Sequence, residues 1–242
     1  MSNPAFRVME RERSVSYEET ATLNGTIKKT IGLFGVTIVS AIVTGTILPS
    51  VVSSLYPIMV MAMIVAAILA IVTCFKPNIA EYTTPGYAVF EGVTLGVISL
   101  AFEHMYAGIV AIAVATTFAV MGVMLFLWQQ KIIVVTEKVR SIIISLTMGV
   151  AALYIINMVA SIFWTSFLPR SGVVGIGIAV VIAAVAAFNF LLDFDNIEQS
   201  VQQGMPKYME YFNAFSLLLT LVWLYLEILR IIQMIMSLGN DD

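Results

Sequence analysis

The sequence predicts an all-α integral membrane protein with seven spanning helices, and three observations carry that prediction. Hydrophobic residues make up 60% of the 242 and charged residues only 11%, against roughly 25% charged in ordinary soluble domains. Mean hydropathy is +0.98, and the apolar residues gather into windows of about 20, the length that crosses a bilayer. The basic residues fall unequally on alternate connecting segments, as cytoplasmic loops that attract Lys and Arg require.

Residues 1–26, ending in ATLNGT, are polar and mixed in charge. They lack the short apolar core and cleavage site of a secretory signal, so they are expected to stay in the cytoplasm. From Thr30 to Phe75 there is no Asp, Glu, Lys or Arg, and LPSVVSS around Pro49 supplies a turn, so spans are expected near 30–48 and 51–75. Further apolar windows predict spans near 86–104, 106–128, 142–168, 173–195 and 214–236. The membrane domain then covers 27–237 and a short tail covers 238–242. With the N-terminus inside, the inner segments hold Arg7, Arg11, Arg13, Lys28, Lys29, Lys76, Lys131, Lys138, Arg140 and Lys207, while the outer loops hold only Arg170. Arg230 lies within the seventh span, and an odd number of spans puts SLGNDD outside. No inverted internal repeat of the transporter kind is visible.

Composition also narrows function. Net charge is −3, and no clustered basic patch speaks for a nucleic-acid partner. Cys74 has no second thiol to pair with, which removes disulfides, zinc clusters and thiol redox chemistry and leaves packing. His104 is the sole histidine. With no HExxH, phosphate loop or serine elbow, the sequence does not read as an enzyme. The paired aspartates leave an intramembrane aspartyl protease as the one enzyme class still open. No cofactor is expected beyond an ion, and the bilayer is the first partner.

Small residues recur every fourth position in the sixth span, at Gly175, Ala179, Ala183 and Ala187, and at Gly92 and Gly96 in the third. Such ridges let neighbouring helices approach closely, and tight packing is the reading for both.

Carboxylates at membrane depth are costly and mark function by default. Glu91, Asp193, Asp195 and Glu227 qualify, all expected toward the cytoplasmic half with Glu227 deepest. Asp193 and Asp195 point about 200° apart on a regular helix, so both cannot face one pathway. Asp193, one turn after Asn189, is assigned to the interface, and Asp195, beside the small-residue ridge, to a neighbouring helix. On the seventh span, Asn213, Ser216 and Thr220 fall within about 40° of Glu227, forming a polar stripe that leads to it. The hydroxyls have the alternative of bonding their own backbone one turn back. Arg230 can pair with Glu227 within the helix. Two carboxylates brought together in a low-dielectric site share a proton and titrate as a coupled pair. Ionised, they present hard oxygen ligands suited to calcium.

The ends of the last spans, LLDFDNIEQ, GMPKYMEYFNAF and LLLTLVWLYLEILRII, resemble the transmembrane Bax inhibitor motif, or Bax inhibitor-1-like, family in its bacterial branch. TIKKT before the first span and YAVFEGVTLGVIS in the third add to the resemblance. It implies six helices packed around a central seventh and a pH-sensitive calcium leak governed by an acid from each of the last two helices. Carried onto this chain, those acids fall on Asp195 and Glu227; the reading of the residues themselves adds Glu91, Asp193 and Arg230 as accessories and Asn213, Ser216 and Thr220 as lining the path. Residues 51–75 carry no charge, so the basic latch that better-known members hold in the second helix is absent there, and Arg230 is the candidate substitute. Two further functions follow from the same residues and resemblance: a proton-coupled cation exchanger, and a non-conducting membrane regulator of proteases or cell-death factors, with residues 1–26 as its handle for membrane-protein partners. The bacterial-like motifs point to a plasma membrane.

Overall fold

The computed structural model of the protein describes residues 19–47, 55–163, 168–169 and 172–238. The turn expected around Pro49, and Arg170, lie outside the described residues. The architecture is α1 (Leu23–Thr46), α2 (Tyr56–Phe75), a short 3₁₀ turn (Pro77–Ile79), α3 (Ala80–Met105), α4 (Ile109–Gln129), α5 (Glu137–Phe163), α6 (Gly172–Gln202) and α7 (Met209–Leu238). All seven α-helices are long and apolar enough to cross a membrane, so the chain is an all-α, seven-span protein.

α1, α3, α5, α6 and α7 start before their apolar windows, while α2 and α4 start inside theirs, because local capping, not hydropathy, sets where a helix starts. Thr22 caps α1, its hydroxyl accepting from the Gly25 N–H at 2.9 Å. Pro57 pre-sets the first turn of α2. α3 begins six residues before its expected start and carries Pro85 inside it. Between α3 and α4, Gly108 takes a left-handed conformation (φ 87°), and the Glu103 carboxylate accepts from the Gly108 and Val110 N–H groups at 2.6 and 3.2 Å. Glu103 therefore caps α4, while its neighbour His104 is exposed. Cys74, expected to be packed, is exposed at the end of α2.

α7 is the most deeply buried span. It packs against α1, α3, α4 and α6, whereas α2 leans on α3 and α5 on α6. Phe190, Leu191, Phe215, Leu218, Leu224 and Leu229 are fully buried at this hub, and Tyr87 meets Phe215 edge-on with centroids 5.0 Å apart. The small-residue ridges do what their spacing predicts. A Cβ on Gly92 would come within 2.5 Å of the Thr37 carbonyl, and one on Gly96 within 2.6 Å of the Ala41 carbonyl, so α1 and α3 touch along their backbones. Gly175 is packed less tightly, a Cβ there coming to 3.2 Å from the Pro169 carbonyl and 3.3 Å from the Met234 sulfur of α7.

Candidate functional site

α6 continues as one regular helix to Gln202, so Asp193 and Asp195 do face different ways, and the helix phase decides their roles. Asp193 is the one turned to α7. Its side chain is buried, and it accepts from Ser216 Oγ at 2.5 Å and from Thr220 Oγ1 at 2.6 Å. Ser216 and Thr220 are one turn apart on α7, so one carboxylate spans both. Elsewhere in the bundle the threonine hydroxyls Thr37, Thr94 and Thr117 satisfy themselves on backbone carbonyls one turn back. Ser216 and Thr220 instead reach across to a second helix.

One turn below Ser216, Asn213 is buried, and its Nδ2 has no hydrogen-bond partner. An amide donor left bare in this way costs about 1–3 kcal/mol, so the column Asn213–Ser216–Asp193–Thr220 is polar beyond what packing requires.

The sequence placed Asp195 opposite Glu227, and the structure does not bring them together. Asp195 sits at the rim of α6 on Arg140 of α5 and accepts from Gln199 Nε2 at 2.7 Å, while Asn196 Oδ1 takes the other end of the Arg140 guanidinium at 2.9 Å. Glu227 lies seven residues past Thr220, about 10 Å farther along the axis. It pairs with the Tyr154 hydroxyl of α5 and lies 3.8 Å from Arg230 Nη1, which also donates to Tyr154 at 3.3 Å. Glu227 Oε2 is buried without a hydrogen bond. The intrahelical pair with Arg230 is present as expected, but Glu227 belongs to the half of α7 away from the N-terminal face. Glu91 is half-buried one turn above Tyr87, with which its side chain hydrogen-bonds, and joins neither cluster. Among the described residues no three His, Cys, Asp or Glu side chains converge as metal ligands. A bound cation at Asp193 would be held by that one carboxylate with the hydroxyl oxygens of Ser216 and Thr220.

Sequence reasoning missed a further cluster. Glu210, at the start of α7, is 2% exposed. It accepts from the Thr22 N–H and hydroxyl at 2.9 and 2.8 Å and lies 3.9 Å from Lys29 Nζ, which also covers the Tyr211 ring. The signal was present: TIKKT and GMPKYMEYFNAF, the two segments that meet here, each carry a charge beside an apolar face.

Seven apolar helices crossing in succession define a multi-pass membrane protein, with buried polar groups concentrated on its last two helices. The family model described as Bax inhibitor 1 like matches residues 3–237, and the chain belongs to that family. No curated protein and no solved structure matches it.

Proposed function

We propose that the protein is a proton-regulated cation leak, with calcium as the ion and Asp193, rather than the Asp195–Glu227 pair, as its ion-binding acid. One observation carries this reading. Asp195, Glu198, Glu210 and Glu227 each have a Lys or Arg within 4 Å, and Glu103 binds backbone N–H groups. Asp193 is more deeply placed than most of these and is held by two neutral hydroxyls alone.

A buried carboxylate without a basic partner is neutralised by a proton or by a bound cation. Hydroxyls suit both states, since each donates to the carboxylate or turns a lone pair toward an ion. Ionised Asp193 with the Ser216 and Thr220 oxygens is a hard-oxygen site fit for calcium. Protonation removes the charge and releases the ion. The inner-side excess of basic residues supports an N-terminal face turned to the cytoplasm of a bacterial plasma membrane.

The test is calcium entry into liposomes holding the purified protein across pH 5 to 8. Wild type is expected to pass calcium at the alkaline end and less as pH falls. Asp193→Asn is expected to abolish both the flux and its pH response, with Asp195→Asn close to wild type. Equal flux in wild type and Asp193→Asn overturns the assignment. Slow, saturating flux driven uphill by a proton gradient makes the protein an exchanger at the same acid.

A further inference from the structure

Residues 19–22 run extended along the turn between α6 and α7. The Ala21 N–H donates to the Met205 carbonyl at 2.7 Å, and Thr20 bridges Pro206 in antiparallel fashion. Glu19 pairs with Lys207, and Ala21 is buried. Gly204 shapes the turn with a left-handed φ of 61° and passes beside the Thr20 methyl. The anchor is Glu210, whose carboxylate takes both the N–H and the hydroxyl of Thr22. Gly25 makes room for it: a Cβ there would overlap the Glu210 carboxylate.

These contacts hold an exposed-type sequence, ETAT, onto one place in the bundle. Glu210 stands one turn before Asn213, where the α7 polar column begins, two turns from Ser216 and about 15 Å along the axis from Thr220. Asn213 Nδ2 is bare of partners yet closed off from solvent. A polar atom in that condition, one helical turn from the carboxylate that anchors an extended chain segment, points to a cover, not to a sealed core.

We propose that residues 19–22 are an autoinhibitory strap closing the N-terminal-face end of the α7 column, and that releasing Thr22 from Glu210 opens Asn213 and Asp193 to solutes. The proposal rests on the reading of that column as an ion path for its consequence on flux, but not for its test. Hydrogen bonds to a charged acceptor are stronger than neutral ones, enough to hold the strap closed most of the time and still weak enough to release.

The experiment uses the full chain in lipid nanodiscs, with Cys74→Ser to remove the native thiol and Asn213→Cys as reporter. The probe is a charged methanethiosulfonate reagent. Gly25→Ala and Glu210→Gln each loosen the strap by a different route, one steric and one electrostatic. Labelling at 213 is expected to quicken about tenfold or more in both. A second reporter, Ala186→Cys, lies fully buried in the hub and is expected to stay slow. Unchanged labelling at 213 overturns the proposal. So does equal quickening at 213 and 186, because the strap then only holds the fold together. Quickening at 213 alone, with no calcium flux at any pH in the same strap variants without reporters, upholds the strap and sinks the ion path.

Discussion

Asp193 is bound by two hydroxyls that have somewhere else to go. If its carboxylate is deleted, Ser216 and Thr220 can fall back on their own backbone carbonyls, as Thr37 and Thr117 already do. Asp193→Ala is therefore expected to destabilise by only about 1 kcal/mol, and Asp193→Asn, which keeps an acceptor, by less. Thermal unfolding in detergent checks the order. A loss of several kcal/mol with Asn would mean that the charge is structural and would weaken its reading as an exchangeable site. The stripe Asn213, Ser216, Thr220 was legible from spacing alone, because helical phase within one segment follows from 100° per residue. Which aspartate meets that stripe was not. Asp193 and Asp195 are two residues apart, and the rotation of α6 relative to α7 is set by tertiary packing of Phe190, Ala186 and Phe194 into the hub. Asn189 shows the same limit: grouped with Asp193 at the interface because it lies one turn away, it turns to α5 and donates to Thr147 at 2.8 Å.

At the scale of the helix pair, the contacts are of two kinds and respond differently to change. α1 and α3 meet backbone to backbone at Gly92 and Gly96, with Ser40 Oγ donating to the Val89 carbonyl at 2.8 Å. Gly92→Ala would drive a methyl into the Thr37 carbonyl, and helix separation of this sort costs about 1–3 kcal/mol. Gly122→Ala and Gly149→Ala, where nothing stands within 4 Å, are expected to be neutral or slightly stabilising, so unfolding midpoints of the three variants should split into two groups. If Gly92→Ala groups with Gly149→Ala, the close α1–α3 approach is wrong. α5 is attached by polar side chains at seven-residue spacing: Arg140 to Asp195, Thr147 to Asn189, and Tyr154 to Glu227, with Ile143 its sole buried residue among those described. Interhelical hydrogen bonds in membranes average about 0.6 kcal/mol, so Thr147→Val is expected to lower stability by roughly that amount. Tyr154→Phe is expected to lower it more, since it also strips Glu227 Oε1 of its donor. Equal, negligible effects of both on thermal unfolding would mean that lipid, not these bonds, keeps α5 in place. The number and order of helices were legible because each must bury its own backbone hydrogen bonds in lipid; the α5 stripe was not, since its partners lie 42 to 73 residues away in the chain.

Over the whole molecule, α7 threads three separated polar stations: Glu210 with Thr22 at the N-terminal face, Asp193 with Ser216 and Thr220 farther in, and Glu227 with Tyr154 and Arg230 beyond. Buried Ala214 and Phe215, then Val222, Leu224 and Tyr225, fill the lengths between them. Only the middle station lacks a built-in cation, so a single titrating site is expected to govern transport, not the coupled pair that two adjoining acids would form. That difference is measurable. Where calcium binds only the ionised carboxylate, proton and calcium affinities are reciprocally linked. Raising calcium then demands more acid to empty the site, and the pH midpoint of flux inhibition moves down. For one proton competing with one ion above its dissociation constant, the midpoint is expected to fall by about one pH unit per tenfold rise in calcium. A coupled pair would give a broader curve in two steps. Liposome flux measured across pH 5 to 8 at three calcium concentrations separates the cases. Parallel one-step curves that shift with calcium support Asp193 as the shared site. Curves whose midpoint ignores calcium place the proton elsewhere, with Glu227 and Glu91 the acids to substitute next.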